Sequence, residues 1–321
     1  MIARYATERF LQMIPTLLVI TALVFGLILI IPGDPVMAML GYVTDERSAV
    51  SPEVYARMRE RLGLDQPIYV QYLRWLGRAV QGDLGTSVVT GQPVLNLIVS
   101  RLPATVYLAT ASLALALLIA IPGGLWAAVR RNTVVDHAAT GFVLFGICTP
   151  SFWVALLLVL VFSVWLGWLP SIGYVPPEQD FGRFLLHLAM PTAILGTEVA
   201  AQILRFVRTE FLEQLHQDYV RTARAKGLPE RLVLWKHTLK NSLIATTTAL
   251  GFQVANLLGG STIIETVFAY PGIAYLMIQS IYNRDFAVVQ GVVLFVALTV
   301  LLVNFLVDVC YAVLDPRIRL A

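Results

Sequence analysis

The chain reads as an all-α integral membrane protein with six transmembrane helices and cytoplasmic N and C termini. Composition, the length of the apolar runs and the placement of basic residues predict this. Of 321 residues, 58% are hydrophobic and 13% are charged, about half the roughly 25% charge of a soluble domain. A membrane-spanning helix takes about 20 apolar residues. Six runs qualify: Leu11–Ile31, Val106–Val129, Ala138–Leu166, Phe184–Phe206, Leu243–Ile264 and Val288–Leu314. They are continuous, whereas a transmembrane β-barrel shows short alternating segments.

Lysine and arginine in short loops set orientation. Arg4 and Arg9 precede the first span, and Arg130 and Arg131 follow the second. Eight basic residues lie from Arg205 to Lys240, including all three lysines, and Arg317 and Arg319 follow the last span. The opposite short loops hold only Arg183 and Arg284. The arginines of the long first loop carry no weight, because long loops cross regardless of charge.

Residues 1–31 form an anchor helix. Its apolar run is longer than a signal-peptide core and no A-x-A-like site follows, only the helix-stopping IPGDP. Residues 32–102 form a small extracytoplasmic helical region, too short to bury much core alone, so it leans on the membrane domain or on a partner. Ser51-Pro52-Glu53 signals a helix start and Gly63 its end. A second helix starts at Pro67, with Tyr69, Tyr72, Leu73, Leu76 and Val80 at helical spacing, and GDLGTS ends it. Residues 103–321 carry the remaining spans. Pro150 interrupts the third at CTPSFW, because proline removes a donor and kinks a helix; the main segment then ends near Trp165 and Trp168.

Several functions are excluded. The net charge of +3 is modest, and the basic residues border spans without forming an aromatic-studded face, so nucleic acid is not a partner. Cys148 and Cys310 lie in apolar segments without paired spacing and read as buried, inert thiols. No HExxH, GxSxG or phosphate-cradling GxxxxGK[ST] occurs, and His137, His187, His216 and His237 are scattered. The chain therefore offers no catalytic residues, no metal site and no cofactor of its own. Any ATP that drives it, with its Mg, is held by another polypeptide.

Ionisable residues within spans mark pathways or proton relays. The candidates are Glu198 in GTEVAAQ, Asp308 near the end of the last span, and Glu265 at the outer end of the fifth. Glu198 is either a pathway carboxylate that meets a cationic solute group, or an acid that is protonated or paired with another helix. Gln253 and Asn256 share one helix face; they line the same path or bond neighbouring helices. A secondary transporter or channel remains the rival class, although two or three acids make a thin relay.

The polar break at residues 207–241 contains DYVRTARAKGL. Asp218 suits the cap of a helix running to Lys226, Gly227 suits the left-handed residue after it, and Pro229 starts a second helix that continues through Trp235 into the fifth span. Ala223 and Ala225 keep the short helix thin, so a partner protein's groove can approach its backbone. Arg221, Arg224 and Lys226 surround that contact. A helix lying on lipid would show a broad Leu/Phe/Trp face, which RTARAKG lacks.

DYVRTARAKGL followed by WKHTLKNSL resembles the cytoplasmic EAA-type loop of ABC-transporter permeases, in the form used by the dipeptide/oligopeptide/nickel branch. IPGDP, LGLDQPIYVQY with GDLGTS, RLPAT, ETVFAYPGIAYL and LDPRIR follow in the family's order. The resemblance implies an ABC importer permease core in spans two to six and a prokaryotic inner-membrane location. It also implies a second permease subunit in a heterodimer, two ATP-binding subunits or a fused pair, and an extracytoplasmic substrate-binding protein. In that family the loop is a coupling helix, which assigns Arg221, Thr222, Ala223, Arg224, Ala225, Lys226 and Gly227 to ATPase coupling. Segment 265–286, with Glu265, Pro271 and Gly272, becomes an outer gate or binding-protein contact. The family's substrates include di- and oligopeptides, glutathione and nickel chelates. Ala245, Ala274 and Glu198 depart from its pattern, standing where proline, glycine and a small apolar residue are expected.

Overall fold

Backbone amides in lipid must be satisfied within the segment that carries them, which favours helices. The computed structural model describes residues 2–30, 36, 51–61 and 65–314, and their only β-pairing is an isolated bridge between Thr86 and Pro93. IPGDP, Gly63 and the basic C-terminal tail lie outside the described residues. The helices are α1 (Ile2–Ile30), α2 (Pro52–Arg61), α3 (Ile68–Val80), α4 (Val94–Val129), α5 (Val134–Cys148) and α6 (Ser151–Leu158). α6 continues as a π-helix over Val159–Trp165. Next come α7 (Phe181–Leu215), α8 (Asp218–Ala225), α9 (Glu230–Leu232, continued as a π-helix over Val233–Thr238) and α10 (Leu239–Leu258). The last three are α11 (Thr262–Val267), α12 (Ile273–Tyr282) and α13 (Phe286–Leu314).

Four described helices are long and apolar enough to cross a membrane: α1, α4, α7 and α13. A bent pair, α5 and α6, makes a fifth if it counts as one span. The expected fifth run corresponds to α10, 20 residues long, whose polar side chains lower its hydropathy. Ser242, Thr246 and Gln253 among them are buried against protein. α10 also stops at Leu258, short of Ile264, because Gly260 takes a φ of +87° and ends the helix. At Thr149-Pro150 the chain turns by 98°, a full break rather than a kink. Trp165 and Trp168 then stand exposed beyond α6.

The core is built on α4 and α7, the most extensively packed pair. Tyr107 meets Phe184 at one end with ring centroids 5.3 Å apart. At the other end a Cβ on Gly124 would lie 2.8 Å from Val207 Cγ1 and 3.0 Å from the Leu204 carbonyl. Gly196 approaches Leu115 just as closely, so the two helices run parallel with their backbones nearly in contact. Small residues permit such an approach where lipid supplies no hydrophobic drive. Arg130, Arg131 and the break at 207–241 therefore share one end of the bundle. Arg9 in α1 pairs with Asp308 in α13 at 3.5 Å, which brings both terminal helices to that same end. Cys148, expected in the interior, lies on the chain's outer surface.

The first-loop region leans on the membrane helices. Ser51 Oγ accepts from the Val54 amide at 3.3 Å, and α2 starts at Pro52 as its cap signal predicts. α3 begins after Pro67, but its buried stripe is Tyr72, Trp75, Leu76 and Ala79, packed on Ile20, Val24 and Phe25 of α1 and Leu294 of α13. Tyr69, Leu73 and Val80 are exposed, so the helical period is as expected and the face is rotated. GDLGTS is pinned where Ser87 Oγ donates to Asp285 Oδ2 at 2.5 Å, in front of α13. α4 then begins at Val94, well before its apolar run, with Pro103 inside it.

Asp285 is 3% exposed, and losing a partner from a buried charged group costs roughly 1–3 kcal/mol or more. Ser87→Ala is expected to lower the thermal midpoint of the detergent-solubilised protein and to speed proteolysis between residues 82 and 93. An unchanged midpoint and digestion rate would show that this bond does not hold the loop.

Candidate functional site

The midpoint of α7 faces α10 across a cavity of about 390 Å³. Glu198, Gln253 and Asn256 all line it, as do Gln202, Ser151 and Ser261. Their convergence follows from helical spacing: Glu198 and Gln202 stand one turn apart on α7, and Gln253 and Asn256 one turn apart on α10. Gln253 Nε2 donates to Gln202 Oε1 at 2.7 Å, which ties the two helices together beside the cavity. Glu198 is half-buried and makes no hydrogen bond or ion pair among the described residues. Gln202 was not anticipated; its place four residues after Glu198 was the available signal.

Glu265, expected in an outer gate or binding-protein contact, is wholly buried and so offers no surface for direct contact. Its Oε2 accepts from the Tyr275 amide at 2.8 Å, so the carboxylate caps the N-terminus of α12, where the helix dipole favours an anion. Thr105 Oγ1 of α4 donates to Oε1 at 3.5 Å and accepts from the Ile273 amide at 2.9 Å. A Cβ at Gly272 would overlap the Glu265 carboxyl, and one at Gly260 would lie 3.1 Å from Oε1. Gly260 also has a φ of +87°, and a Cβ there would meet Ala274 Cβ at 2.7 Å, so both positions favour glycine and YPG positions a buried cap. Pro271 is half-buried beside it. Gly260 also lines the cavity, so the capped segment and the cavity share a wall.

At the opposite end, α8 projects as an elbow. Asp218 is the first helical residue and not the cap: Gln217 precedes the helix, and Asp218 pairs with Arg221 at 3.5 Å. The C-terminus closes by a Schellman turn. Gly227 has a φ of +72°, its amide donates to the Arg224 carbonyl at 2.9 Å, and the Leu228 amide donates to the Ala223 carbonyl at 3.4 Å. Ala223 is buried with Val220 and Val233, and Leu228 packs beside them. Its small side chain therefore seats α8 on the following helix and is not part of the outer face. Arg221, Thr222, Arg224, Ala225, Lys226 and Gly227 remain exposed.

Arg224 spans the turn to Glu230, Nη2 to Oε1 at 2.7 Å and Nε to Oε2 at 3.2 Å. The guanidinium holds the Glu230 carboxyl below the usual carboxylate range. From Glu230 the helix runs without a break through the π-turn into α10, as Pro229 predicts. Thr238 Oγ1 donates to the Val233 carbonyl at 3.1 Å within that π-turn. A second brace went unforeseen. Arg208 near the end of α7 makes a bidentate pair with Asp136 at the start of α5, at 2.6 and 2.9 Å, while the Asn132 amide donates to Asp136 Oδ2 at 3.0 Å.

Comparison with known proteins matches residues 120–320 to the family described as binding-protein-dependent transport system inner membrane component, and residues 1–109 to its N-terminal family. A putative peptide permease protein of Brucella suis biovar 1 is 43% identical over 319 residues, 98% of this chain and 99% of that protein. The oligopeptide transport system permease protein AppB of Bacillus subtilis is 40% identical, covering 99% of each chain. The glutathione transport system permease protein GsiC of Escherichia coli O6:H1 is 40% identical, covering 98% of each. Among solved structures, an inward-facing form of the MetNI methionine ABC transporter superposes with a TM-score of 0.53 at 20% identity, covering 68% of this chain and 96% of that one.

The buried cap sets a stability requirement. Overpacking a core costs about 1–3 kcal/mol. Gly272→Ala, which drives a methyl into the Glu265 carboxyl, and Glu265→Ala, which leaves the Tyr275 amide without its acceptor, are both expected to lower the thermal midpoint. Circular dichroism melts of the purified variants test this, and wild-type melting of both would remove the structural role assigned to Glu265.

Proposed function

The chain belongs to the binding-protein-dependent transport system inner membrane components, and on that premise we propose that it forms half of the membrane pathway of an ATP-driven peptide importer. Multi-pass insertion in the inner membrane follows from the family and the apolar helices. Peptide is the substrate class favoured by relatives described as peptide, oligopeptide and glutathione permeases over almost their whole length; glutathione is itself a modified tripeptide. In this reading α10 is the fifth span in chain order and completes a set of six, and the elbow end with both termini is cytoplasmic. The parallel course of α4 and α7 supports that orientation, since it gathers Arg130, Arg131 and the lysines at one end. A second permease subunit completes the pathway, two ATP-binding subunits dock below, and an external binding protein delivers solute above.

The observation that carries the reading is the elbow. Transmitting force between subunits requires a stiff element with different contacts in two states. α8 is short, exposed and basic on its outer face, and it is fixed to the rod of α9 and α10 by the Gly227 turn, the Ala223 seat and the Arg224–Glu230 fork. ATP binding draws the ATPase subunits together; α8 passes the movement to α7 and α10, and the cavity between them opens outward. Arg221, Thr222, Ala225 and Lys226 form the docking face in this scheme, while Ala223 and Gly227 set its angle. A secondary transporter needs no such projecting elbow, and Asp308 and Glu265, two of the three candidate acids, are held by partners.

The test uses the complex co-expressed with its ATP-binding and binding-protein partners. Gly227→Pro removes the amide and forbids the positive φ, and Ala223→Leu lifts α8 from Val233. Both are expected to insert normally yet to reduce ATP-driven peptide uptake at least about tenfold, a change of about 1.4 kcal/mol in coupling. Gly227→Asn is expected to retain most activity, because asparagine tolerates the left-handed region. Normal uptake by Gly227→Pro and Ala223→Leu, or a purified complex without any nucleotide-hydrolysing subunit, would end the lever assignment.

A further inference from the structure

α7 runs from Phe181 to Leu215, and Glu198 is its central residue. Each end of the helix lies about 25 Å away at 1.5 Å per residue. Its carboxylate stands on the wall of the 390 Å³ cavity with no cation paired to it among the described residues. Of the two arginines nearest along α7, the farther is committed elsewhere and the nearer is exposed. Arg208 is committed to Asp136 at 2.6 Å. Arg205 lies two turns away, with its guanidinium carbon 5.5 Å from the centroid of the neighbouring Phe206 ring. The amides opposite are not neutral bystanders. The Gln253-to-Gln202 bond uses one donor and one acceptor, and Gln202 Nε2 and Gln253 Oε1 are left unused by it on residues that line the cavity. Asn256 adds both functions one turn along α10.

We propose that Glu198 is a specificity-determining residue that selects solutes bearing an ammonium or guanidinium group, with Gln202, Gln253 and Asn256 bonding the solute's amide and carboxylate groups. The proposal rests on the importer reading above and extends it to charge selection by the membrane subunit. A carboxylate at mid-membrane without a protein partner is stable only against water or a cation. A polar cavity supplies the water when it is empty, and a cationic solute supplies the charge when it is filled. The fully buried acids Glu265, Asp285 and Asp136 each receive donors from this chain, whereas Glu198 stands half-buried at the cavity wall. Neighbouring Ser151 and Ser261 also line the cavity, which suits a hydrated solute better than a lipid tail.

The experiment uses the complete complex in proteoliposomes, loaded with ATP on the ATPase side and supplied with its binding protein and an equimolar set of tripeptides spanning net charge −1 to +2. Imported peptides are counted by mass spectrometry for wild type, Glu198→Gln and Glu198→Asp. The binding protein's own preference cancels in the ratio between variants. The expected result is that Glu198→Gln lowers uptake of lysine- and arginine-containing tripeptides relative to acidic ones by about tenfold, while Glu198→Asp keeps the preference and assembly is unchanged. An imported spectrum with the same charge profile in Glu198→Gln overturns the proposal and leaves the importer reading standing. Loss of the second permease subunit on purification of Glu198→Gln also overturns it, and assigns Glu198 to a cation of that subunit. A wild-type complex that imports no tripeptide at all removes the peptide reading and the proposal together.

Discussion

Everything in this molecule hangs on the close approach of α4 and α7. In lipid, two apolar helices gain nothing by hiding from their surroundings, and association relies on packing and polar contacts. Gly124 against Val207 and Gly196 against Leu115 remove the side chains that would hold the backbones apart. The register this sets is transmitted along α7 in both directions. Phe184 at one end is fixed on Tyr107, Glu198 is held at the cavity wall, and Arg208 reaches Asp136. A looser pair would leave each of these groups without a defined position.

The same two helices, α7 and α10, border the cavity and frame the elbow. α7 leads into α8 through Gln217, and α8 is locked by its Schellman turn to the rod that becomes α10. Movement of the elbow therefore acts on both cavity walls through continuous helix, with little loop to absorb it. Gln253 to Gln202 ties the walls midway, and Asp136 to Arg208 ties α7 to α5. These polar ties are arranged as crossbraces of a frame that borders the cavity.

Features decided by neighbours in sequence were legible, and features decided across the fold were not. Gly227 and Pro229 announce a helix end and a helix start by their own backbone limits, and Ser51 and Pro150 did the same for α2 and for the break before α6. The shared face of Gln253 and Asn256 was readable from their spacing, although not the Gln202 that joins α7 to α10. Asp136 and Arg208 are 72 residues apart, and Ser87 and Asp285 are 198 apart; no local pattern pairs them. The cap made by Glu265 was not legible, because it folds back onto a helix that starts eight residues on and no local pattern pairs it with the Tyr275 amide. The buried stripe of α3 turned because α1 and α13 supply the apolar surface it meets, and hydrophobic spacing alone leaves Trp75 and Leu73 equivalent.

The buried acids separate by what answers them, and the difference carries functional meaning. Leaving a carboxylate in hydrocarbon costs about 2.5–3.5 kcal/mol on insertion scales, so selection for stability alone supplies each one with donors. Glu265 has backbone amides and Thr105, Asp285 has Ser87, and Asp136 has Arg208 and the Asn132 amide. Their removal weakens the fold because the donors are left behind. Glu198, half-buried, has none of these among the described residues. On the proposal made above, the partner of this half-buried carboxylate, set at the centre of α7, arrives from outside the chain.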